Sequence, residues 1–401
     1  MNRRFSLLFA LAGLSFACSP PVNNTDTAPT DASGDTGGDG STMALAGSAF
    51  CSSLAAPASC SMAGAVVACG VCVVPPSDPS MDRLTRTSCA SISDDPQYCD
   101  MASTPGAPNL TCFTTFDPAH PPTPPMSQTV TLWGVVDVFG TGGDSNNVHI
   151  QVYEIAADGS PGAMVGEATS DPMLYHEDDV ERDTSGMIVQ MRTLAGYAIP
   201  NIQTDHPYII KTIGTTPDFF AHAIYDYSVP IRGTDVGTHP VPASAACGGC
   251  TIATSVTGPA VYARLRTISN SDWVTIPSTA TLPTGIPAGH GALAGEVHDC
   301  DDVRLSNAQV YAAPEPNFTS PVYFSDNPSR PLPDISRAPH GTGALGIYAL
   351  LDMNPGNVRV SAVGYDASTL TLVGSAGVRI FADSVTVVSF RGIRPWQYTT
   401  P

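Results

Sequence analysis

One pattern occurs twice in this chain. The first copy runs from residues 134–137 to residues 196–202, and the second runs from residues 295–299 to residues 346–350. Each copy has a strand-like start, an alternating strand, an acidic loop, and a strand that opens with glycine and tyrosine. A repeat of this size predicts two copies of one small β-domain, each burying its own core.

The composition favours β-structure in both copies. Of the 401 residues, 36 are glycine and 37 are proline, and only 13% are charged. Such a chain supplies many turns and few strong helix formers, which favours an all-β fold. The 42% hydrophobic content suffices for packed cores, and the length fits about two to three domains.

Alternating hydrophobic residues predict individual strands. In the first copy Val148, Ile150 and Val152 alternate with polar residues, as in a strand with one buried face. The segment 358–362 alternates in the same way, which predicts that Ser361 faces outward. Roughly six or seven short strands per copy indicate two β-sandwiches.

The charge of the chain excludes one class of partner. The formal net charge is −19, and Lys211 is the single lysine. Such a surface repels phosphate backbones, so we expect no nucleic-acid partner. Divalent cations remain candidate ligands, although a solvated acidic surface explains the charge more simply.

The first 17 residues have the layout of a signal peptide. Arg3 and Arg4 precede an apolar stretch over residues 5–17 that ends in small residues. This stretch is shorter than the roughly 20 residues that span a bilayer, so it predicts export. We therefore interpret residues 1–17 as a signal peptide.

Cys18 directly follows the predicted cleavage site. Its setting resembles the lipobox of bacterial lipoproteins, which implies that Cys18 is acylated and anchors the chain to a membrane. Ordinary cleavage, with Cys18 left as an unlipidated thiol, is the alternative. Residues 18–47 are mostly polar and small, which predicts a disordered tether. The resemblance, with Ser19 after the cysteine, implies a place in the bacterial cell envelope, at the outer membrane or cell surface.

Residues 48–118 form a cysteine-rich segment. In an exported chain its seven cysteines predict a small module stapled by disulfides. Three more cysteines follow, namely Cys247, Cys250 and Cys300. Seven and three are both odd. If every thiol except Cys18 pairs within the chain, at least one disulfide must join the module to the later part of the chain.

Two C-x-x-C pairs have alternative explanations. Residues 69–72 and 247–250 each contain one pair, and together they could supply four thiolate ligands to zinc. A redox role is a second alternative. We favour structural disulfides, because the oxidising compartment favours them and no βαβ pattern surrounds either pair.

The second copy resembles the carboxypeptidase regulatory-like domain. The resemblance covers residues 289–395 and depends on three segments, 305–310, 346–350 and 353–362. It implies a prealbumin-like (transthyretin-like) β-sandwich with a carbohydrate-binding-like fold. The first copy, residues 127–240, is a divergent β-sandwich that matches the same patterns less closely.

Residues 241–288 lie between the two copies, and we interpret them as a connector. Residues 271–273 could cap a brief helix that Pro277 interrupts. In the second copy we expect Tyr348 to pack in the sandwich rather than to contact a ligand.

The sequence contains none of the common catalytic motifs for nucleophilic serine, zinc-protease, phosphate-binding or dinucleotide-binding sites. The first copy does contain five histidines and an acidic loop. These residues are His149, His176, His206, His222 and His239, with Glu177, Asp178, Asp179, Glu181 and Asp183. They could form a zinc or copper site, but their spacings match no familiar ligand pair. We therefore predict no catalytic residue, no metal ligand and no cofactor.

The acidic loop at residues 299–302 has two explanations. It could bind calcium at one end of the sandwich. A turn anchored by a disulfide at Cys300 explains it more simply.

These observations predict an exported, lipid-anchored envelope protein with a non-catalytic binding or scaffolding role. Carbohydrate, or another envelope protein, is the partner class that the fold resemblance implies. One alternative is a metal-dependent hydrolase or oxidase that uses the histidines of the first sandwich. A purely structural spacer is the other.

Overall fold

The computed structural model describes residues 45–51, 60, 62–88, 106–120, 123, 125–140, 143–182, 187–216, 219–228, 231–318, 321–327 and 331–393. Its regular structure is mostly β, which confirms the predicted all-β fold. The strands are β1 (Val66–Ala68), β2 (Val71–Val73), β3 (Thr85–Arg86), β4 (Thr129–Phe139), β5 (Val148–Ile155), β6 (Pro161–Thr169), β7 (Asp171–Arg182), β8 (Ile188–Gln203), β9 (Tyr208–Gly214), β10 (Ala223–Asp226), β11 (Ala260–Tyr262), β12 (Leu265–Ile268), β13 (Gly291–His298), β14 (Leu305–Ser306), β15 (Gln309–Ala313), β16 (Val322–Tyr323), β17 (Ile347–Met353), β18 (Gly356–Asp366), β19 (Thr369–Ile380), β20 (Ser384–Val387) and β21 (Phe390–Arg391). The α-helices are α1 (Thr111–Thr114), α2 (Ile252–Ser255) and α3 (Asn270–Thr279). Short 3-10 helices cover Ser48–Cys51, Gly233–Asp235, Ser244–Cys247 and Ile335–Arg337.

One sheet contains strands from both copies, and we call it the shared sheet. Its strand order is β16-β17-β13-β20-β10-β9-β5-β6, with β21 also paired to β13. The two copies meet where β10 of the first pairs in parallel with β20 of the second. Two other sheets pack on it. The first cover sheet has the order β11-β4-β8-β7, with β12 also on β4, and the second cover sheet has the order β15-β18-β19.

The first cover sheet lies on one face of the shared sheet. Residues directly opposite each other on neighbouring strands share a face. Ile150 and Ile224 are both direct partners of Thr212. Ile224 is in turn opposite Val385, which is opposite Ala292. All five residues therefore lie on one face, where Ile150 packs in a core with residues of β4 and β8.

The second cover sheet lies on the opposite face. Leu293 and Val297 alternate along β13 with the residues of the first face. Both are fully buried in a core that contains Val310 of β15 and Val360 of β18. The two sandwiches thus use opposite faces of one sheet. As a result, among the described strands of the first cover sheet, mainly its edge strand β12 lies over the part of the first face that belongs to the second copy.

The repeated glycine and tyrosine have the same structural role in both copies. Gly134 on β4 lies opposite Tyr197 on β8, and Gly295 on β13 lies opposite Tyr348 on β17. The Tyr197 hydroxyl reaches across its strand and donates a 2.8 Å hydrogen bond to the Ala263 carbonyl. Both tyrosines are fully buried, so Tyr348 packs in the sandwich as the sequence predicts.

The predicted strands agree with the structure except at one position. Val148, Ile150 and Val152 are fully buried on β5. Ser361 is also fully buried, although the alternation predicts an outward-facing side chain. Its hydroxyl donates to the carbonyl of Ala68, because the cysteine-rich module covers this surface of the second cover sheet.

Disulfides staple the module and tie it to the second copy. The described bonds are Cys51–Cys69, Cys60–Cys72, Cys112–Cys300 and Cys247–Cys250. The Cys112–Cys300 disulfide joins the module to the later part of the same chain, as the odd cysteine counts predict. All four cysteines of the two C-x-x-C pairs form disulfides and cannot act as thiolate ligands. The zinc alternative is therefore wrong. Cys18, Cys89 and Cys99 lie outside the described residues.

The predicted connector contributes strands to the first cover sheet. β11 and β12 both pair in parallel with β4. The predicted helix is α3, but its N-cap is Ser269 rather than residues 271–273, which lie inside the helix. The Ser269 side chain accepts a 3.0 Å hydrogen bond from the Asp272 amide. The predicted interruption at Pro277 is also wrong, because the helix continues through Pro277 to Thr279.

The N-terminal predictions concern residues that are not described. The signal peptide, Cys18 and all of the tether before residue 45 fall in residues 1–44. Within the described part of the chain, no helix is both long enough and apolar enough to cross a membrane.

Candidate ligand-binding cavity

A cavity of about 150 Å³ lies on the part of the first face that belongs to the second copy. Strands β10, β20, β13 and β17 form its floor, and β12 and α3 form the opposite wall. Ala292, Ala294 and Ala349 face the cavity from the floor. Their small side chains leave the space that larger core residues would fill.

The floor changes from apolar to polar along its length. β10, β20 and β13 run in parallel, so their carboxyl ends reach the same end of the cavity. Three successive rows across these strands face the cavity. From one end to the other, the rows are Ile224, Val385 and Ala292, then Asp226, Val387 and Ala294, then Ser228, Ser389 and Glu296.

Aromatic and aliphatic side chains close the apolar end. They come mainly from α3, β12 and the end of β4, and include Phe139, Ile268, Trp273, Ile276, Ile286 and Phe324. The Trp273 ring is stacked on His222, with ring centroids 4.1 Å apart. The capped start of α3 therefore positions the wall at this end of the cavity.

Arginines concentrate at the polar end. Five of the chain's sixteen arginines line the cavity, although the chain carries a formal charge of −19. They are Arg232, Arg264, Arg266, Arg304 and Arg391. Such a concentration in an acidic chain marks this end of the cavity as a built electrostatic environment.

Glu296 is the centre of the polar end. Its Oε1 lies 2.9 Å from Nη2 of Arg266 and 3.3 Å from Nη2 of Arg304. Its Oε2 lies 2.9 Å from Nε2 of His298 and 3.6 Å from Nη2 of Arg391. Burial by itself would raise the pKa of Glu296, but Arg304 and Arg266 outweigh it and hold that pKa well below its usual value. Glu296 is therefore a permanent anion that orders the arginines.

Asp302 supports the same network from the acidic loop 299–302. Its carboxylate lies 2.9 Å from Nη2 of Arg232 and 3.3 Å from Nη1 of Arg391. Cys300 of this loop forms the disulfide with Cys112, as the disulfide-anchored turn predicts. Calcium binding by the loop stays an untested alternative.

Arg264 has a buried donor without an acceptor. Its Nη2 donates a 3.0 Å hydrogen bond to Glu177, which also accepts a 2.8 Å hydrogen bond from the Tyr262 hydroxyl. Burial by itself would lower the pKa of Arg264, but nearby Asp137 and Glu177 outweigh it and raise that pKa. The Nε of Arg264 is buried, and no described residue accepts a hydrogen bond from it.

Asp226 lies in the middle row of the floor. Burial raises its pKa, although hydrogen bonds from the hydroxyl and amide of Ser228 oppose the shift. Asp226 thus differs from Glu296, which lies in the next row of the same floor, because burial drives the Asp226 carboxyl toward its protonated form.

The five histidines of the first copy do not come together. Their contacts are His149 with Glu167, His176 with the Pro172 carbonyl, His206 with Glu154, His222 with Trp273, and His239 with Tyr262. Of the acidic residues near them, Glu177 pairs with Arg264 and Asp179 with Arg192, while Asp183 is not described. No group of three potential metal ligands is found among the described His, Cys, Asp and Glu residues.

Sequence reasoning missed the cavity and its arginines. Two signals in the sequence point to them. Residues 291–295 alternate alanine with leucine or glycine, which places small residues on one face of β13. Arg264 and Arg266 are two positions apart, just before and on β12, which places both side chains on one face. The pairing of β10 with β20, which brings these segments together, has no signal in either strand alone.

No protein-family model and no curated protein matches this chain. Among solved structures, it is similar to the TIE protein of Bacillus anthracis at 10% identity with a TM-score of 0.15, covering 66% of this chain and 34% of that one. It is similar to a streptococcal ancillary pilin at 11% identity with a TM-score of 0.16, covering 66% and 62%. It is also similar to GBS52, the minor pilin of Streptococcus agalactiae, at 11% identity with a TM-score of 0.15, covering 66% and 96%. The chain thus spans about a third of the TIE protein and less than two thirds of the ancillary pilin, and likenesses this weak carry no conclusion.

Proposed function

We propose that this protein is an exported, non-catalytic binding protein of the cell envelope, and that its ligand occupies the cavity. The observation that carries the proposal is the cavity itself, whose floor is built from strands of both copies. Ligand sites are typically concave and largely apolar, with a few charged groups at fixed positions. This cavity is apolar at one end and holds charged groups at fixed positions at the other.

Binding explains the cavity better than a spacer role does. Space left beside small side chains such as Ala292 and Ala349 weakens the fold, because neighbouring atoms lose packing contacts. A structural spacer gains nothing from this loss. A binding protein recovers the lost contacts when the ligand enters.

Binding is also favoured over catalysis. Glu296 is fixed by ion pairs with Arg266 and Arg304. A group held in this way must break a buried ion pair before it can transfer a proton, which opposes general acid or base catalysis.

The test uses a dye and a variant that fills the cavity. We expect the fluorescent dye anilinonaphthalene sulfonate to bind the purified protein saturably, one molecule per chain. The variant Ala349→Phe should abolish this binding, because Ala349 lies opposite Ala294 in the middle of the floor and the added ring fills the cavity. Ala119→Phe, at an exposed position just after the module, is the matched control. Dye binding that is absent, or unaffected by Ala349→Phe, would overturn the proposal.

The second copy resembles the carboxypeptidase regulatory-like domain, so carbohydrate is one ligand class to test. A glycan array probed with the wild-type protein and with the Ala349→Phe variant tests for carbohydrate binding. Glycan binding that Ala349→Phe removes would place a sugar in the cavity.

The N-terminal sequence supports anchoring at Cys18. We expect the full-length precursor to incorporate labelled palmitate in a bacterial host and to sediment with the membranes. Cys18→Ser should remove the label and release the protein. Equal labelling of the two forms would contradict the anchor.

A further inference from the structure

The apolar end of the cavity fits an aliphatic chain. Ile224, Val385 and Ala292 form its floor, and Trp273 and Ile276 of α3 close it. A dry cavity of about 150 Å³ in another protein holds benzene, and this cavity as a whole has the same volume, so it has room for roughly six carbon atoms. A sugar would bring hydroxyl groups to this surface, where no polar side chain of the first row could bind them.

The polar end fits an anion. Arg264 and Arg266 alternate beside β12, and both line the cavity. Each guanidinium is held on one side by a fixed carboxylate, Glu177 for Arg264 and Glu296 for Arg266. The carboxylates thus hold the guanidinium groups in place before a ligand arrives, and each group keeps further N–H donors.

The buried Nε of Arg264 is the second sign of a ligand. No described residue accepts a hydrogen bond from it, and a buried donor without an acceptor is unfavourable. An anionic oxygen accepts charge-assisted hydrogen bonds from arginine more strongly than a neutral oxygen does. An anionic head group that reaches this Nε would supply the missing acceptor, because the nearby Asp137 carboxylate supplies charge but no hydrogen bond to it.

We infer that the cavity binds a single aliphatic chain of medium length that ends in a carboxylate or phosphate, with the chain against α3 and the anion at Arg264 and Arg266. This inference rests on the proposed function, because it names the ligand class of the same cavity. The graded floor fixes the orientation, since reversing the molecule would place its anion among Ile224 and Val385.

Calorimetric titration of the disulfide-bonded protein tests the inference with three probes of equal chain length. These are hexanoate, hexyl phosphate and hexanol, each below its micelle concentration. We expect at least one anion to bind at least about tenfold more tightly than hexanol, since a hydrogen bond to a charged group is worth about this factor. Hexanoate and hexyl phosphate also distinguish a carboxylate head from a phosphate head.

Variants assign the head group to the arginines. Arg266→Gln should weaken binding of the anion about tenfold and leave binding of hexanol unchanged. Arg379→Gln is the matched control, because Arg379 pairs with Asp158 and does not line the cavity. If Arg266→Gln does not fold, Arg266→Lys keeps the charge beside Glu296 but loses the planar fork, and it should show a smaller loss in the same direction.

The outcomes separate this inference from the proposed function. If hexanol binds as tightly as both anions, and Arg266→Gln changes the affinity for none of them, the inference is wrong. Binding of the dye that Ala349→Phe abolishes would then still support the proposed function. If a glycan occupies the cavity and neither anion displaces the dye, the inference is also overturned. If the dye itself does not bind, both proposals fail.

Discussion

Tyr348 lies directly opposite Gly295 on paired strands, and its hydroxyl donates a 2.6 Å hydrogen bond to the Val388 carbonyl. A Cβ on Gly295 would overlap the same carbonyl oxygen, so the tyrosine and the glycine are needed together. Burial raises the pKa of the Tyr348 hydroxyl, which keeps it protonated as a donor.

We expect Tyr348→Phe to lower the free energy of unfolding by about 1–3 kcal/mol, because it leaves a buried carbonyl without its donor. Tyr197→Phe should have a similar effect, since Tyr197 bonds Ala263 in the first copy. Urea unfolding measures both. Tyr225→Phe, whose ring stacks on Phe381, is the control and should change little. A neutral effect of Tyr348→Phe would contradict the proposed role of the repeat.

The disulfide between Cys112 and Cys300 should dominate the stabilisation by cross-links. It closes a loop of 188 residues, whereas Cys247 and Cys250 are separated by three. If the stabilisation comes from chain entropy, replacing Cys112 and Cys300 with serine should lower the free energy of unfolding by about 4–5 kcal/mol. Replacing Cys247 and Cys250 should lower it by about 2 kcal/mol at most. Thermal unfolding of the two double variants measures the difference. Equal losses would show that loop closure does not set the effect.

Glu296 makes the stability sensitive to acid. Its pKa is lower in the folded protein than in the unfolded chain, so its stabilising effect is complete above its ordinary value of about 4.5 and is lost as the pH falls through the folded value. We expect Glu296→Gln to cost about 3–5 kcal/mol at neutral pH, because it leaves Arg266 and Arg304 without their anion.

Chemical unfolding from pH 7 to pH 3 tests this assignment, since the variant should lose less stability over that range than the wild type. Glu167→Gln is the control. Glu167 is half exposed and contacts His149, so its removal should leave the acid sensitivity unchanged. Parallel curves for wild type and Glu296→Gln would assign the acid sensitivity to other groups.

Much of the fold follows from local sequence patterns. The alternation in β5, the tyrosine of the repeat and the odd cysteine counts each predict a feature that the structure contains, and residues 271–273 predict the helix α3 but not its cap at Ser269. The burial of Ser361 could not be predicted in this way, because the module that covers it is distant in sequence. The cavity could not be predicted either, since it depends on β10 meeting β20 across 161 positions. Pairing between distant strands is decided by packing of the whole chain rather than by the residues of either strand.

Asp226 should affect stability in the opposite direction to Glu296. Burial raises its pKa in the folded protein, so the folded state holds its proton more tightly than the unfolded chain does. Its effect on stability is therefore most favourable below the ordinary pKa of about 3.8 and declines as the pH rises through the folded value. We expect Asp226→Asn to stabilise the protein at neutral pH, because it removes a desolvated charge while its side-chain oxygen can still accept from Ser228.

Denaturant unfolding at pH 7 and pH 3.5 measures the effect of Asp226→Asn, which should be larger at the higher pH. Asp158→Asn is the control, because Asp158 is exposed and its pKa is lowered. Destabilisation by Asp226→Asn at pH 7 would mean that the carboxylate form is the one that the cavity requires.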